Sequence, residues 1–279
     1  MTEMLSPLGR FERILLATDG SEYSDGAIAV ADEMATKCNA RLYIVSIALY
    51  NPGTESLEPT LGAESERLAM TNVAAARERI RHADCQSRVL QDADPARAIT
   101  EAAEQLRADV IVMGRHGRRG LARWKLGHAT EKVVGRAPCP VLVVPKASRM
   151  WQHKVLLATD GSRYGDAAAV IAGNIARMCK LPLAVISAIL PSHSRERRQE
   201  AQTALDRVLL AMTRLGVSVD SLLAEGRPEQ AIVANAEKTN ADLIIMGSHG
   251  RTGLDRILMG SVSERVLNQS SCPVLVTRA

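Results

Sequence analysis

GSHGRTGLDRILMGS, residues Gly247 to Ser261, is the stretch that determines the fold class predicted for this chain. It follows a short apolar run, Leu243 to Met246, whose β-branched residues favour a buried strand over a helix. The glycines let the backbone N–H groups approach a ligand closely, and Ser261 is expected to cap a following helix. Because helix N-termini favour anions, the stretch predicts a phosphate-binding loop between a strand and a helix.

A second interpretation of the same loop stays open at this point. Glycines that follow a strand, here Gly247, Gly250 and Gly253, also serve simply as turn residues. The loop lacks the Gly-Lys-Ser/Thr of a Walker loop and the GxGxxG of a dinucleotide-binding fingerprint. The loop alone therefore does not decide between a ligand site and a turn.

The chain contains an internal duplication. FERILLATD, which ends at Asp19, recurs as KVLLATD, which ends at Asp160, an offset of 160 − 19 = 141 residues. Further along, Gly114 matches Gly247 at 247 − 114 = 133, so we expect about eight extra residues in the first repeat, within 51–62. Two domains are predicted, 1–146 and 147–279, joined by a short linker at 146–153.

Within each repeat, apolar strands alternate with amphipathic helices. Parallel strands need helical crossovers, so this alternation predicts two tandem doubly wound parallel five-stranded α/β sheets with helices on both faces. Pro95 and Pro228 are expected at first helical positions. For the second repeat we predict strands at 154–159, 182–189, 217–223, 243–246 and 274–276, and helices at 164–180, 194–215, 228–239 and 261–269.

Composition disfavours several classes of function. The net charge of +4 is mild, and basic residues alternate with acidic ones along the chain. The chain has only one Phe and no basic stripe interleaved with aromatic residues, which argues against nucleic-acid binding. No apolar run is long enough to span a membrane and no signal peptide is evident, so a cytoplasmic protein without a membrane partner is expected. The five cysteines form no CxxC pair and are expected to be reduced thiols.

The chain resembles a tandem universal stress protein. Nucleotide-binding members of that family carry Gly, two residues, Gly, nine residues, and Gly-Ser or Gly-Thr, a pattern that Gly247, Gly250, Gly260 and Ser261 match fully. The ATD after the first strand and the terminal CPVLV from Cys272 match as well, and the resemblance covers nearly the whole chain twice. It implies a Rossmann-like fold similar to that of adenine-nucleotide alpha-hydrolases.

The resemblance also implies a ligand, ATP, usually with a divalent metal such as Mg²⁺ or Mn²⁺. The glycine loop and the Ser261 hydroxyl would hold the phosphates, and Asp160 would lie by the adenine or ribose; Asp160 could equally be a turn residue after the strand. Arg251 and His249 could contact phosphate or be ordinary loop residues. The residues expected at this site are Ala158, Thr159, Asp160, Ala188, Met246, Gly247, His249, Gly250, Arg251, Gly260, Ser261 and Val262.

The first repeat departs from the family pattern at one position. Its loop, GRHGRRGLARWKLGH from Gly114, places His128 where the family has Ser or Thr, and imidazole would occupy space meant for phosphate. We therefore expect weaker or absent ATP binding there. The residues of this weaker second site are Ala17, Thr18, Asp19, Gly114, His116, Gly117, Gly127 and His128.

Three functions are compatible with these patterns. The first is an ATP-binding stress or regulatory protein, with at most slow hydrolysis and no catalytic or metal-ligating residue assigned. The second is an adenine-nucleotide hydrolase, although no nucleophile with an adjacent base is evident. The third is a scaffold without ligand. The resemblance further implies an internal pseudo-dimer through the last strands, 141–144 and 274–276, with homodimers as an extension; protein partners stay unidentified.

Overall fold

The computed structural model describes residues 11–50, 59–116, 126–251 and 259–278. Their contacts divide the chain into two compact units between Met150 and Trp151. The boundary proposed from the sequence, after Lys146, lies in the same short linker. Part of the region expected to hold the extra residues, 51–58, lies outside the described residues, and the rest of it, 59–62, opens a long helix.

The first unit contains five parallel strands in the order β3-β2-β1-β4-β5. A short 3₁₀ turn, Glu22–Ser24, precedes its first helix. The elements are β1 Arg13–Ala17, α1 Asp25–Cys38, β2 Arg41–Leu49, α2 Pro59–Arg79, β3 Cys85–Asp92, α3 Pro95–Leu106, β4 Val110–Gly114, α4 His128–Arg136 and β5 Val141–Val144.

The second unit repeats this topology in the order β8-β7-β6-β9-β10. The elements are β6 Val155–Ala158, α5 Arg163–Cys179, β7 Leu183–Ile189, α6 Arg195–Arg214, β8 Val219–Glu225, α7 Pro228–Lys238, β9 Leu243–Gly247, α8 Ser261–Gln269 and β10 Val274–Thr277. The predicted fold class is confirmed. In each unit the first strand lies beside the fourth, which is the switch point where ligands bind in doubly wound sheets.

Burial separates β3 and β8, each at one edge of its sheet, from the other strands. Every residue of β4, β5, β6, β9 and β10 is buried, as expected for strands covered on both faces. The edge strands β3 and β8 are largely exposed and carry polar residues such as Arg88 and Asp220. The expectation of continuously apolar strands is therefore wrong for β3 and β8, since an exposed edge strand needs polar groups to discourage pairing with other chains.

Local signals place most element boundaries. Pro95 and Pro228 stand at the starts of α3 and α7, as predicted. The third strand predicted for the second repeat, 217–223, is displaced by two residues, because Val217 closes the end of α6 through a hydrogen bond from its N–H to the carbonyl of Met212. Gly216, at φ +71°, makes the left-handed turn that allows this closure.

The described cysteines are all free thiols. Burial raises the pKa of the Cys139 thiol to about 12, so that thiol stays protonated at neutral pH. Across the described ranges, no helix is both long and apolar enough to traverse a bilayer.

Candidate functional site

The candidate site of the second unit forms where β6 and β9 lie side by side. Ala158 pairs in register with Met246, so the turn after β6 and the loop after β9 leave the sheet at neighbouring points. Asp160 connects them: its Oδ1 accepts a hydrogen bond from the Ser162 N–H at 3.0 Å, and its Oδ2 accepts one from the Arg251 N–H at 2.8 Å. The carboxylate thus ties the first turn to the glycine loop.

The turn after β6 is held by its own side chains. Thr159 Oγ1 accepts a hydrogen bond from the Gly161 N–H at 3.2 Å, and Gly161 adopts φ +75°, a region that favours glycine. Ser162 then caps α5, with its Oγ accepting from the Gly165 N–H at 3.1 Å. The result is a fixed platform from which Asp160 reaches the loop.

The glycines of the loop are required by packing. A Cβ on Gly247 would lie 2.6 Å from the Cβ of Tyr164, and one on Gly260 would lie 3.0 Å from the carbonyl oxygen of Ser248. A Cβ on Gly250 would lie 2.8 Å from the carboxylate that bridges the turn and the loop. The fold alone therefore accounts for these glycines, and their spacing does not by itself demonstrate a ligand.

Hydrogen bonds close the base of the loop. The Gly260 N–H donates to the Ser248 carbonyl at 2.8 Å, and the Ser248 N–H donates to the Thr277 carbonyl on β10 at 2.7 Å. The buried Ser263 hydroxyl donates to the carbonyls of Gly247 at 2.9 Å and Ser248 at 3.2 Å. The two ends of the loop are thereby fixed against each other and against the sheet.

The N-terminus of α8 has no side-chain cap. Gly260 is the N-cap residue, with φ −66° and ψ 145°, and Ser261 is the first helical residue. The prediction that Ser261 is the N-cap is wrong by one position, because the extended backbone ends at Gly260. N–H groups of a first helical turn have no partner within the helix, and here the exposed Ser261 side chain adds a hydroxyl beside them. The arrangement suits an anion.

The two polar side chains within the loop have different environments. His249 is buried; its Nδ1 lies 3.1 Å from Ser248 Oγ, and its ring centroid lies 5.2 Å from that of Tyr164. Arg251 points away from the sheet, and its Nη1 lies 2.8 Å from Oε2 of Glu200 on α6. Of the two, Arg251 is the side chain placed to reach a bound anion.

A cavity of about 660 Å³ lies beside the turn and the loop. Its wall is one face of α6, whose lining residues recur at helical spacing. Among the residues that the structure describes, the lining consists of Gly161, Arg195, Glu196, Gln199, Glu200, Thr203, Ala204, Arg207 and Arg251. Three of these side chains are guanidinium groups, which gives the cavity donors suited to phosphate.

Comparison with known proteins identifies the family. The sequence matches the universal stress protein family twice, over residues 10–145 and 152–278. The chain belongs to the universal stress protein family. A universal stress protein of Methanocaldococcus jannaschii is 39% identical over 138 residues, which cover 45% of this chain and 81% of that protein. One from Synechocystis sp. is 27% identical over 293 aligned residues, which cover 96% of this chain and all of that protein (100%).

A solved structure agrees with the tandem fold. The crystal structure of a universal stress protein from Archaeoglobus fulgidus matches with a TM-score of 0.72 at 23% identity, covering 95% of this chain and 98% of that one. At this identity the match supports the fold alone. The recognition of a tandem universal stress protein is confirmed.

The first universal stress protein domain retains the backbone frame of the loop. Gly127 is the N-cap of α4, with φ −63° and ψ 138°, and its N–H donates to the Arg115 carbonyl at 2.9 Å. The Thr130 hydroxyl donates to the Gly114 carbonyl at 3.1 Å, as Ser263 does in the second domain. His128 is the first helical residue and is exposed. The side chain at this position, rather than the backbone, distinguishes the two helix starts.

Asp19 shares one contact with its counterpart Asp160, the hydrogen bond from the N–H two residues further on, and also accepts hydrogen bonds from two hydroxyls. Its Oδ1 accepts hydrogen bonds from the Ser21 N–H at 3.0 Å, the Ser21 hydroxyl at 2.6 Å and the Ser24 hydroxyl at 3.1 Å. This oxygen therefore stabilises the turn that follows β1. Gly117 lies outside the described residues.

A side chain from α2 covers the first turn of domain 1. Gly20 adopts φ +70°, and a Cβ there would lie 2.0 Å from Oδ1 of Asn72, whose Nδ2 donates to Ser46 Oγ at 3.4 Å. In domain 2 the corresponding Cβ on Gly161 would meet only the methyl group of Ala204, at 2.8 Å. Asn72 thus occupies space that the small Ala204 leaves to the cavity.

Two further loop residues of domain 1 can be compared with domain 2. His116 packs edge-on against Tyr23 with ring centroids 5.6 Å apart, repeating the histidine–tyrosine pair of the second domain. Arg115 stands where the second domain has Ser248, and burial lowers the pKa of its guanidinium. A half-buried arginine beside β4 is therefore specific to the first domain.

The remaining predicted residues lie at or just after strand ends, except Val262, which is the second residue of α8. Those at the ends of β1, β6 and β9, together with the turn threonines, are buried, and Ala188 and Val262 are half-buried. The buried ones are Ala17, Thr18, Ala158, Thr159 and Met246. Within the described ranges, no group of three or more His, Cys, Asp and Glu side chains is arranged to hold a metal ion.

Sequence reasoning missed three contributors: the α6 wall, the buried hydroxyls of Ser263 and Thr130, and Asn72. A hydroxyl recurs at 263 − 130 = 133, the offset of the second half of the repeat, so this pair could have been found from the sequence. The α6 wall and Asn72 depend on how a long helix docks on the sheet, for which the local sequence gives no signal.

Proposed function

We propose that the second universal stress protein domain binds ATP and acts as a nucleotide-dependent regulatory module of a stress response. The observation that carries the proposal is the N-terminus of α8, which has no side-chain cap and carries the exposed Ser261 hydroxyl in its first turn. The loop that leads to it carries Arg251, which lines the cavity. The dipole of α8, its first-turn N–H groups and the Ser261 hydroxyl together favour a phosphate at the start of this helix.

The phosphates are held by the backbone of the loop, the Ser261 hydroxyl and the Arg251 guanidinium. The adenosine lies towards the ends of β6 and β7, where Ala158, Thr159 and Ala188 provide apolar surface. Each carboxylate oxygen of Asp160 accepts a backbone hydrogen bond, from Ser162 and Arg251 respectively, and has a second lone pair, so a ribose hydroxyl can still donate to it. Its roles as turn residue and as ligand contact are therefore compatible.

A divalent cation, Mg²⁺ or Mn²⁺, accompanies the nucleotide in this proposal. Since the described residues offer no cluster of protein ligands for a metal, the cation is held chiefly by phosphate oxygens. It supplies charge neutralisation of the triphosphate. The protein contributes the neutral N–H donors and Arg251.

The proposed activity is binding, with at most slow hydrolysis. Nucleotide shifts the conformation of the protein only through its different affinity for the two states. A partner protein then reads the surface of the occupied form. Cytoplasmic location, the internal pseudo-dimer and a homodimer are further predictions of the same hypothesis.

The test is nucleotide content and titration calorimetry. We expect purified protein to release adenine nucleotide on denaturation, and stripped protein to bind one MgATP per chain. Ser261→Ala should weaken binding by about tenfold, the value of a hydrogen bond to a charged group. Substitution of Gly260 would be less informative, because a Cβ there would lie 3.0 Å from the Ser248 carbonyl oxygen and would crowd the loop.

The matched control is Ser271→Ala. Ser271 is an exposed serine just before β10, at the amino ends of the strands, whereas the proposed site lies at their carboxyl ends. This substitution should leave ATP affinity unchanged. Wild-type protein that binds no adenine nucleotide at millimolar concentration would refute the proposal and favour the scaffold. Multiple-turnover hydrolysis that Asp160→Ala abolishes would instead favour the hydrolase.

A further inference from the structure

Glu200 on α6 forms an ion pair with Arg251 of the loop, and both side chains line the cavity. Its Oε2 lies 2.8 Å from Nη1 of Arg251, while the Arg251 N–H is engaged by Asp160. The same Oε2 lies 3.4 Å from Nη1 of Arg197, one turn earlier on the helix. One carboxylate oxygen is therefore shared by two guanidinium groups, of which only Arg251 lines the cavity.

A phosphate at the start of α8 and Glu200 would compete for the same guanidinium. Phosphate offers several acceptor oxygens and more negative charge than a carboxylate, and guanidinium matches it in a bidentate geometry. The ion pair is partly open to water, with the Arg251 and Glu200 side chains 33% and 50% exposed. Pairs of this kind are weak, so a phosphate can displace the carboxylate.

We propose that Glu200 tunes the affinity of the nucleotide site for phosphate groups, because it occupies the Arg251 guanidinium until a phosphate takes its place. The inference rests on the proposed function and deepens it. In the empty site Glu200 holds the guanidinium against α6, and in the occupied site Arg251 turns to the phosphates. A ligand without phosphate leaves the ion pair intact, so Glu200 affects the binding affinity of nucleotides and not that of nucleosides.

Arg197 lowers the free-energy cost of moving Arg251 from Glu200 to a phosphate. When Arg251 leaves, the Glu200 carboxylate can still pair with Arg197 on its own helix, at the i and i+3 positions that face each other on a helix surface. The carboxylate is therefore not left without a counter-ion. Because α6 carries Glu200, nucleotide occupancy also changes the charge environment of that helix.

The experiment is a set of calorimetric titrations with MgATP and with adenosine. Glu200→Gln should tighten MgATP binding by about two- to fivefold, the range expected for removing a weak competing ion pair, and leave adenosine binding unchanged. Arg251→Ala should weaken MgATP binding, and in that background Glu200→Gln should have no effect. Thermal melts confirm that each variant is folded.

The matched control is Glu225→Gln, which removes the same charge from an ion pair with Arg198, also on α6, at 3.0 Å. It should not alter MgATP binding. An equal gain in Glu225→Gln, or a gain by Glu200→Gln that persists in Arg251→Ala, would show a general charge effect and overturn the inference. Unchanged affinity in Glu200→Gln would overturn it while the proposed function stands, whereas absence of binding by wild-type protein would refute both.

Discussion

The two domains share the backbone of the nucleotide loop and differ in the side chains that surround it. Gly127 and Gly260 cap their helices at nearly the same dihedral angles, and both N–H groups close the loop onto the residue after the fourth strand of their domain. The side chains diverge at His128 against Ser261 and at Asn72 against Ala204. A binding site can therefore be altered by substitutions in its lining while the frame that carries it stays the same.

The strongest test of the shared frame is steric. Gly247→Ala should destabilise the second domain by about 2–3 kcal/mol, because its Cβ would lie 2.6 Å from Tyr164 and α5 cannot retreat without losing its packing on β9. Gly114→Ala should have a similar effect on the first domain, where the Cβ would lie 2.6 Å from the Tyr23 carbonyl oxygen. Urea unfolding followed by circular dichroism measures both.

Gly216→Ala serves as the control for these substitutions. It introduces a Cβ at φ +71° with no heavy atom within 4 Å, so only the backbone cost of about 1 kcal/mol applies. If Gly247→Ala cost no more than Gly216→Ala, packing would not explain the loop glycine. The comparison of the two domains would then lose its structural basis.

Much of the fold follows from local signals, and the site follows from them less completely. Alternating apolar strands and amphipathic helices, with Pro95 and Pro228 at helix starts, give the topology, and the switch-point rule brings the first and fourth strands together. The sequence pattern placed the start of β8 two residues early, at 217, because Val217 is apolar but closes the end of α6. Apolar character alone does not separate a strand start from a helix end.

The glycines illustrate a different limit of sequence reasoning. Their spacing identified the loop, but the reason inferred for them, backbone approach to a ligand, is not the one the contacts supply. Gly247 is needed by Tyr164 and Gly260 by the Ser248 carbonyl. Contacts between residues far apart in sequence, such as Asn72 over Gly20, arise from helix docking and have no local signature.

The second test converts the first domain to the lining of the second. Asn72→Ala with His128→Ser removes the amide over Gly20 and restores a hydroxyl at the start of α4. We expect MgATP affinity at this site to rise at least tenfold, a change of about 1.4 kcal/mol, and stoichiometry in calorimetry to move from one towards two per chain. Each single substitution should give a smaller gain.

The same change made in reverse is the control for this test. Ala204→Asn with Ser261→His should remove binding from the second domain. Two ATP per wild-type chain, or an unchanged stoichiometry of one in the double variant, would contradict the assignment of the lining as the difference. Thermal melts separate loss of binding from loss of fold, since Asn72 is buried and bonded to Ser46.

The smallest expected effect is the difference between the two domains in the stability that the hydroxyls beneath the loops contribute. Ser263 donates to two carbonyl oxygens, at 2.9 and 3.2 Å, whereas Thr130 has one such contact, at 3.1 Å. Ser263→Ala should cost about 1–2 kcal/mol of unfolding free energy and Thr130→Val about 1 kcal/mol, because buried carbonyls lose a donor. Chemical denaturation of both variants measures the difference.

Conservative exchanges distinguish the hydroxyl from the space it fills. Ser263→Thr and Thr130→Ser keep the donor and should stay closer to wild-type stability than Ser263→Ala and Thr130→Val. Ser263→Ala should also weaken MgATP binding severalfold, although Ser263 is buried, because the carbonyls it holds position both ends of the loop. A larger loss of unfolding free energy at Thr130 than at Ser263 would mean that the loop of the first domain depends more on its hydroxyl–carbonyl hydrogen bond. The backbones of the two loops would then not be equivalent.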